Sequence, residues 1–264
     1  MASAGKDADM SPLPGLDNAC AIVTGGGSGI GRAAVLQFAV AGARVVVADV
    51  NAETAAAVVA EVTATGGSAV AVVGDLSQQE VVDRVVAMAV DTYGGVDVLV
   101  NNAGIMDSMD GPQETSDAEW DRVILVNLTA PFLLTRAVIP IMLAKGKGAI
   151  VNTASEAGLR GSAAGTAYTV SKHGVVGLTK STAIHMRDKG IRVNAVAPGG
   201  TATNIVVNIN PDHSGIAALA PYMGSIGRIA EASELAAAIV FLASDAASNI
   251  NGVILPVDNG WSAV

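Results

Sequence analysis

Cysteine and aromatic residues are nearly missing from this chain: its 264 residues include one Cys, 3 Phe, 2 Trp and 3 Tyr. A single thiol cannot close an intrachain disulfide, which excludes a disulfide-stapled scaffold. With so few aromatics the core has to be Ala, Val, Ile and Leu, the composition of parallel strands covered by closely packed helices. Positive charge is scarce as well. Fifteen Lys and Arg against 24 Asp and Glu leave a net charge of -9. No basic block accumulates to replace phosphate counterions, so no nucleic-acid partner is expected. Uninterrupted apolar runs such as Leu235–Ala243 fall well short of the ~18 residues of a membrane span. Residues 1–16 carry Lys6, Asp7 and Asp9 among small residues and two prolines, with no apolar stretch like a signal peptide. They read as a flexible head before a single domain spanning 17–264. A soluble cytoplasmic protein with no membrane partner is the expectation, and the sequon Asn127-Leu128-Thr129 is accidental on that reading.

Hydrophobic residues are abundant at 51%, with 30 Gly, which excludes a disordered chain. Area scaling for this length buries roughly 70% of the unfolded surface, enough for a large core. From Ala19 onward, short β-branched runs alternate with helical stretches, the signature of a parallel α/β sheet. Strands are predicted at 20–24, 44–48, 69–73, 96–100, 149–153, 192–197 and 253–257. The clearest helix is predicted over 77–93, with a Ser77/Glu80 capping box, a stripe of Val81, Val82, Val85, Val86 and Ala89, and a Gly94-Gly95 stop. Asn51 is placed to cap the helix before it. Two segments, 101–116 and 198–221, read as irregular, where function often resides.

Thr24-Gly25-Gly26-Gly27-Ser28-Gly29-Ile30-Gly31 follows the first strand directly and opens a helix. Glycine lets backbone approach a pyrophosphate, and the helix N-terminus presents free N–H groups to the anion. An acidic residue, Asp49, ends the second strand 18 positions past Gly31, where it would accept hydrogen bonds from ribose hydroxyls and repel a 2′-phosphate. No basic neighbour offsets it, so NAD is expected and NADP disfavoured. Tyr168 and Lys172 are four residues apart on one predicted helix, so they share a face. A phenol needs its pKa lowered by roughly three units to exchange protons near neutrality, and an adjacent ammonium supplies part of that. Ser155 follows the fifth strand, 13 residues before Tyr168, at the carboxyl edge where such sheets hold ligands.

Taken together these residues resemble the short-chain dehydrogenase/reductase superfamily, and the resemblance covers about Leu16 to Trp261. Its matching elements are Thr24-Gly25-x-x-x-Gly29-x-Gly31, Asp75, Asn101-Asn102-Ala103-Gly104, Asn127, Ser155, Tyr168-x-x-x-Lys172 and Pro198-Gly199. The resemblance implies a Rossmann-type, doubly wound, seven-stranded parallel sheet in a three-layer αβα arrangement, with NAD(P) across its carboxyl edge. It implies hydride transfer between nicotinamide C4 and a secondary alcohol or ketone, commonly in a homotetramer. By the same resemblance Tyr168 is the general acid/base, Lys172 lowers its pKa and binds ribose, Ser155 bonds the substrate oxygen, and Asn127 holds a water. The cofactor would be held by Gly25, Gly27, Ser28, Gly29, Ile30 and Asp49, by Asp75 and Leu76 at the adenine, and by Asn102, Ala103 and Gly104 at the adenosine ribose. Pro198, Gly199, Thr201 and Thr203 would surround the carboxamide end. Gly200 departs from the larger apolar residue that relatives often carry, which concerns pocket shape and leaves the chemistry alone.

Two other functions compete. One is a 3-oxoacyl thioester reductase, with Lys145, Lys147, Arg187 and Lys189 touching an acidic carrier protein. The other is a non-catalytic NAD sensor, disfavoured because Tyr168 and Lys172 are both present. No metal is expected, since His173, His185 and His213 lack ligand spacing. Cys20 reads as a buried inert thiol, Asp107 and Asp110 as solvated loop charges. Ser155 lacks a nucleophile-elbow glycine and a histidine partner. The loops 156–165 and 200–221 are mostly small or apolar, which suits an uncharged substrate.

Overall fold

The computed structural model describes residues 13–210 and 212–263. Seven strands form one parallel sheet in the order β3-β2-β1-β4-β5-β6-β9: β1 Cys20–Thr24, β2 Arg44–Asp49, β3 Ser68–Val73, β4 Val98–Asn101, β5 Gly148–Thr153, β6 Ile191–Pro198 and β9 Ile254–Val257. The central strands are buried along their length; β1, β4 and β5 have no exposed residue. That is why they read as continuous apolar runs and not as alternating ones. Every predicted strand is present, with ends moved by one or two residues. A separate two-residue pair, β7 Thr201–Ala202 and β8 Ala230–Glu231, lies beyond the sheet.

Helices cover both faces. Helices α1 (Gly29–Val40), α2 (Ala52–Ala64) and α8 (Ala232–Ala243) close one core around Val23, Val45, Val151, Phe38 and Ile239. Helices α3 (Gln79–Tyr93) and α5 (Ala130–Lys145) close the other around Ile22, Leu99, Val85, Leu134 and Met142. Asn51 caps α2 as expected, its Oδ1 accepting from Glu53 N and Thr54 N. The predicted Ser77/Glu80 box does not form. Asp75 Oδ1 takes the Ser77 N–H at 2.9 Å, the chain turns there, and α3 starts only at Gln79. At the other end of the chain, Leu13–Leu16 belongs to the fold and not to a flexible head: Leu16 is fully buried, and Pro14 O accepts from Asp245 N. Residues 1–12 of that expected head lie outside the described residues.

Helix α4 (Asp117–Ile124), a π-helical turn at Leu125–Thr129 and α5 run on without a break, so Asp117–Lys145 is long and apolar enough to cross a membrane by length and composition. This corrects the expectation from uninterrupted runs. Its apolar residues Val123, Ala130, Leu134, Val138 and Met142 are buried against the domain's own cores, while Leu125, Phe132 and Leu143 stay exposed. Asn127 is 1% exposed, so its sequon is inaccessible in the fold.

Between β1 and β4 the strand order reverses. Loops leaving the two strands diverge there and open a crevice at the carboxyl edge.

Candidate active site

Thr24, the last residue of β1, joins the two sides of this crevice. Its Oγ1 accepts from Asn102 N and Ala103 N, both at 2.9 Å, and Asn102 Nδ2 donates to Thr24 O. The Gly-rich turn after it is packed tightly: a Cβ on Gly31 would lie 2.1 Å from Gly25 O. The Ser28 side chain makes no cap at the start of α1, which leaves that helix's first N–H groups free at the crevice. A cradle of backbone donors with no room for side chains fits a pyrophosphate. Asp49 is 9% exposed, with Oδ2 accepting from Gly27 N at 2.8 Å and Oδ1 from Asn51 N at 2.9 Å.

A cleft of about 570 Å³ collects most of the predicted residues: Gly25, Ser28, Gly29, Ile30, Asn102, Ala103, Gly104, Ser155, Tyr168, Lys172, Pro198, Gly199, Thr201 and Thr203. Gly27 and Asp49 sit just behind its Gly-rich wall. Asp75 and Leu76 do not line it. Asp75 is engaged with the Ser77 backbone, which holds its carboxyl below the usual range, and Leu76 is buried in the core under β3.

Helix α6 (Thr166–Met186) carries Tyr168 and Lys172, both buried. Lys172 Nζ donates to Thr153 O at 2.8 Å and lies 5.4 Å from the Tyr168 ring centre. Burial pushes the tyrosine up to about 12 against the opposing effect of Ser155, and pulls Lys172 down to about 8. The Asp107 charge adds to the raising effect of burial on the phenol. Asn127 projects from the π-helical turn, a distortion frequent at functional sites. It accepts from Ile105 N at 2.8 Å and donates to Ile105 O and Ser171 Oγ. A Cβ on Gly104 would be 3.3 Å from Asn127 Oδ1 and 3.5 Å from Lys172 Nζ, so the two side chains converge at this glycine.

Asp107 and Asp110 are not solvated charges; they are 3% and 5% exposed. Asp107 accepts from Tyr168 N at 2.9 Å, Met109 N at 3.1 Å and Gly165 N at 3.3 Å. It thus caps α6 from 58 residues upstream, at a helix start where Gly165 has no side chain to do so. Burial raises its carboxyl pKa despite these bonds. Asp107→Ala is expected to cost about 2–3 kcal/mol in urea unfolding, since it orphans buried helix-end donors; a loss under ~0.5 kcal/mol would contradict this role.

Asp110 Oδ1 meets His213 Nδ1 at 3.0 Å, and Glu114 Oε1 accepts from Ser214 N and Oγ. The fold so assembles an Asp110–Glu114–His213 cluster that no local spacing announced. It secures helix α7 (Gly215–Met223), which stands inside the segment expected to be irregular. The missed signal was the Ile216, Leu219, Met223 stripe, which packs beside Tyr168 and Met109. His173 and His185 bond only backbone carbonyls one turn back. Cys20 is buried and its thiol is pushed up to about 12, as suits an inert group. Gly200 has a clear consequence: its missing side chain admits Ile226 and Ile229, each 2.7 Å from where a Cβ would be. Met106, Ile205, Val206, Met223, Ile226 and Trp261 line the outer cleft together with the polar Ser108, Arg122, Asn204 and Asn208.

This sheet, this crevice and this pairing of a nucleotide cradle with a buried tyrosine and lysine define a dinucleotide-dependent oxidoreductase. The sequence matches the short chain dehydrogenase family over residues 19–214. It is 42% identical over 252 residues to a 3beta-hydroxysteroid dehydrogenase from Eggerthella lenta, covering 95% of this chain and 97% of that one. It is 41% identical to a cyclohexanol dehydrogenase from an Acinetobacter species, covering 94% and 96%. Among solved structures, levodione reductase superposes with a TM-score of 0.86 at 36% identity, covering 94% and 99%. A Beutenbergia cavernae protein assigned as an NAD(P)-dependent gluconate 5-dehydrogenase, with NADP at low occupancy, gives 0.84 at 40% identity, covering 96% and 100%. A 3-ketoacyl-(acyl-carrier-protein) reductase from Brucella melitensis complexed with NADH gives 0.84 at 34%, covering 94% and 99%. The chain belongs to the short-chain dehydrogenase family. It is an oxidoreductase that uses a nicotinamide cofactor on a secondary alcohol and the matching ketone.

Proposed function

We propose an NAD-preferring dehydrogenase for an uncharged secondary alcohol whose carbinol carbon lies in an alicyclic ring. The observation that carries the reading is the convergence of Ser155, Tyr168 and Lys172 in one cleft with the Gly-rich turn. The bound nicotinamide ring supplies the hydride donor or acceptor. Tyr168 Oη exchanges the proton with the substrate oxygen, and Ser155 Oγ donates to that oxygen as charge develops on it. Lys172 binds ribose hydroxyls and carries positive charge beside the phenol, and Asn127 holds its link to solvent. The α1 N-terminus takes the pyrophosphate, Asp49 the adenosine ribose hydroxyls, and Thr201 and Thr203 the carboxamide end.

The Met, Ile and Val side chains of the outer cleft support a largely apolar substrate, and the hydroxysteroid and cyclohexanol activities of the relatives support a ring alcohol. Turnover of cyclohexanol and 3β-hydroxysteroids with NAD, compared with NADP and with acyclic alcohols, tests this; preference for acyclic substrates would overturn the ring assignment. The acyl-carrier reading loses support from geometry. Lys145, Lys147, Arg187 and Lys189 lie at the amino ends of β5 and β6, across the sheet from the cleft. Lys145 and Lys147 are also already paired with Asp97 and Asp245.

A homotetramer is part of the proposal. Phe132 and Leu143 on α5 and Val170 on α6 are large exposed apolar residues, and a Cβ on Gly177 would meet open space. Gly174 serves the chain's own packing, since a Cβ there would press on Leu128 at 2.6 Å. Light scattering is expected to give four times the 26.2 kDa chain mass; a monomer would refute it.

A further inference from the structure

Three charged residues line the cleft: Asp107, Arg122 and Lys172. Two of them are committed, Asp107 to the start of α6 and Lys172 Nζ to Thr153 O. Arg122 makes no ion pair, hydrogen bond or ring contact with any described residue. That sets it apart within the chain. Of the nine arginines, each of the other eight holds a carboxylate, a side-chain amide oxygen or a backbone carbonyl. Among the described residues, the arginine without a protein partner is the one that lines the cleft.

Its place is fixed by its neighbours. Helix α4 is pinned to the loop after β4, where Glu119 Oε1 accepts from Ser108 N at 2.8 Å and from Ser108 Oγ at 2.7 Å. The acid best spaced to pair with Arg122 along the helix is therefore already engaged. Val123, the next residue, is fully buried in the cluster that holds Tyr168, and Val207, from the loop after β7, packs against that same cluster. Arg122 precedes the first of these anchors and Asn208 follows the second, and both residues line the cleft. Polar residues thus gather around Arg122 in a cleft whose remaining outer lining is apolar.

We propose that Arg122 is a specificity-determining residue that donates to a second oxygen of the substrate, a neutral hydroxyl or carbonyl remote from the reacting carbinol. A guanidinium offers five N–H donors and no acceptor, so it takes an oxygen lone pair and gains nothing from hydrocarbon. Asn204 and Asn208 supply donors and acceptors together, the set that suits a hydroxyl or carbonyl; an anion would also meet the amide oxygens. Apolar rings filling the rest of the cleft exclude water from the contact and strengthen it. Arg122 is exposed in the ligand-free protein, which sets the gain at the low end for a hydrogen bond to a charged group, about tenfold in affinity. The inference rests on the ring-alcohol reading and adds the far oxygen to it.

The test uses the full-length enzyme, NAD and three 3β-hydroxysteroids of one skeleton: the first bears a ketone on the ring farthest from the hydroxyl, the second only hydrogen there, the third a carboxylate. Arg122→Leu is expected to raise KM for the far-ring ketone about tenfold with little change in kcat. The compound with hydrogen there should show little change in KM, and the NADH dissociation constant and the melting temperature should stay those of the parent. Arg122→Lys should recover part of the loss. An Arg122→Leu that moves both neutral compounds alike, or neither, would overturn the proposal. A carboxylate compound that the parent prefers, and that Arg122→Leu weakens most, would overturn the neutral oxygen in favour of an acidic group. Quenching of bound NADH emission by the corresponding 3-ketones gives the same comparison without turnover. If that binding depends on Arg122 and the far oxygen while no steroid turns over, the substrate reading fails and this inference stands; if no steroid ketone binds, both fail.

Discussion

Tyr168→Phe is expected to lower kcat/KM by roughly 10²–10⁴-fold, the usual worth of a positioned acid/base, while the dissociation constant for NADH stays within about threefold. The ring is buried beside Met109, Ala157 and Ala167, and phenylalanine fills the same space, so the loss isolates the hydroxyl. Burial, aided by the Asp107 charge and opposed by Ser155, pushes that phenol up to about 12. Ser155 and Lys172, the groups able to lower it, line the same cleft, with Lys172 Nζ on Thr153 O. Stopped-flow turnover paired with NADH fluorescence titration separates the two effects. Turnover within tenfold of the parent would remove Tyr168 from the chemistry.

The second large effect concerns the cofactor. A negative phosphate about 4 Å from the Asp49 carboxylate costs ~4 kcal/mol at an effective dielectric near 20, roughly a thousandfold. The parent is therefore expected to favour NAD over NADP by two to three orders of magnitude in kcat/KM. Asp49→Asn should collapse most of that ratio, chiefly by raising NADP use. Some NAD activity will be lost too, because Asp49 holds both Gly27 N and Asn51 N and an amide oxygen replaces only one of those acceptors well. Steady-state rates with both cofactors measure this. Equal use of NADP by the parent would refute the role of Asp49.

These residues were readable because their evidence is local. Thr24 to Gly31 forms one turn between a strand and a helix, Asp49 ends the next strand, and Tyr168 and Lys172 are one helical turn apart. Strand positions were legible for a similar reason: a strand buried on both faces spells itself as an unbroken β-branched run. Ser77 shows where local reading fails. Its capping pattern was sound, yet Asp75 two residues earlier captured its N–H and moved the helix start. Helix α7 was hidden by Pro221 and by the absence of a local cap, since its first turn is secured by Glu114 about a hundred residues away.

By itself the sequence determined the parallel α/β fold, the nucleotide cradle and the Ser155, Tyr168 and Lys172 set, because periodicity and short spacings carry that information. Tertiary structure alone decided which charges are buried and what they do. Asp107 and Asp110 look like ordinary loop acids, but one caps the catalytic helix and the other anchors α7 through His213. Glu156 looks like an exposed turn residue, but the fold buries it fully beside Arg160. A carboxylate's neighbours set its charge, and in a parallel sheet those neighbours come from distant loops that meet only at the carboxyl edge.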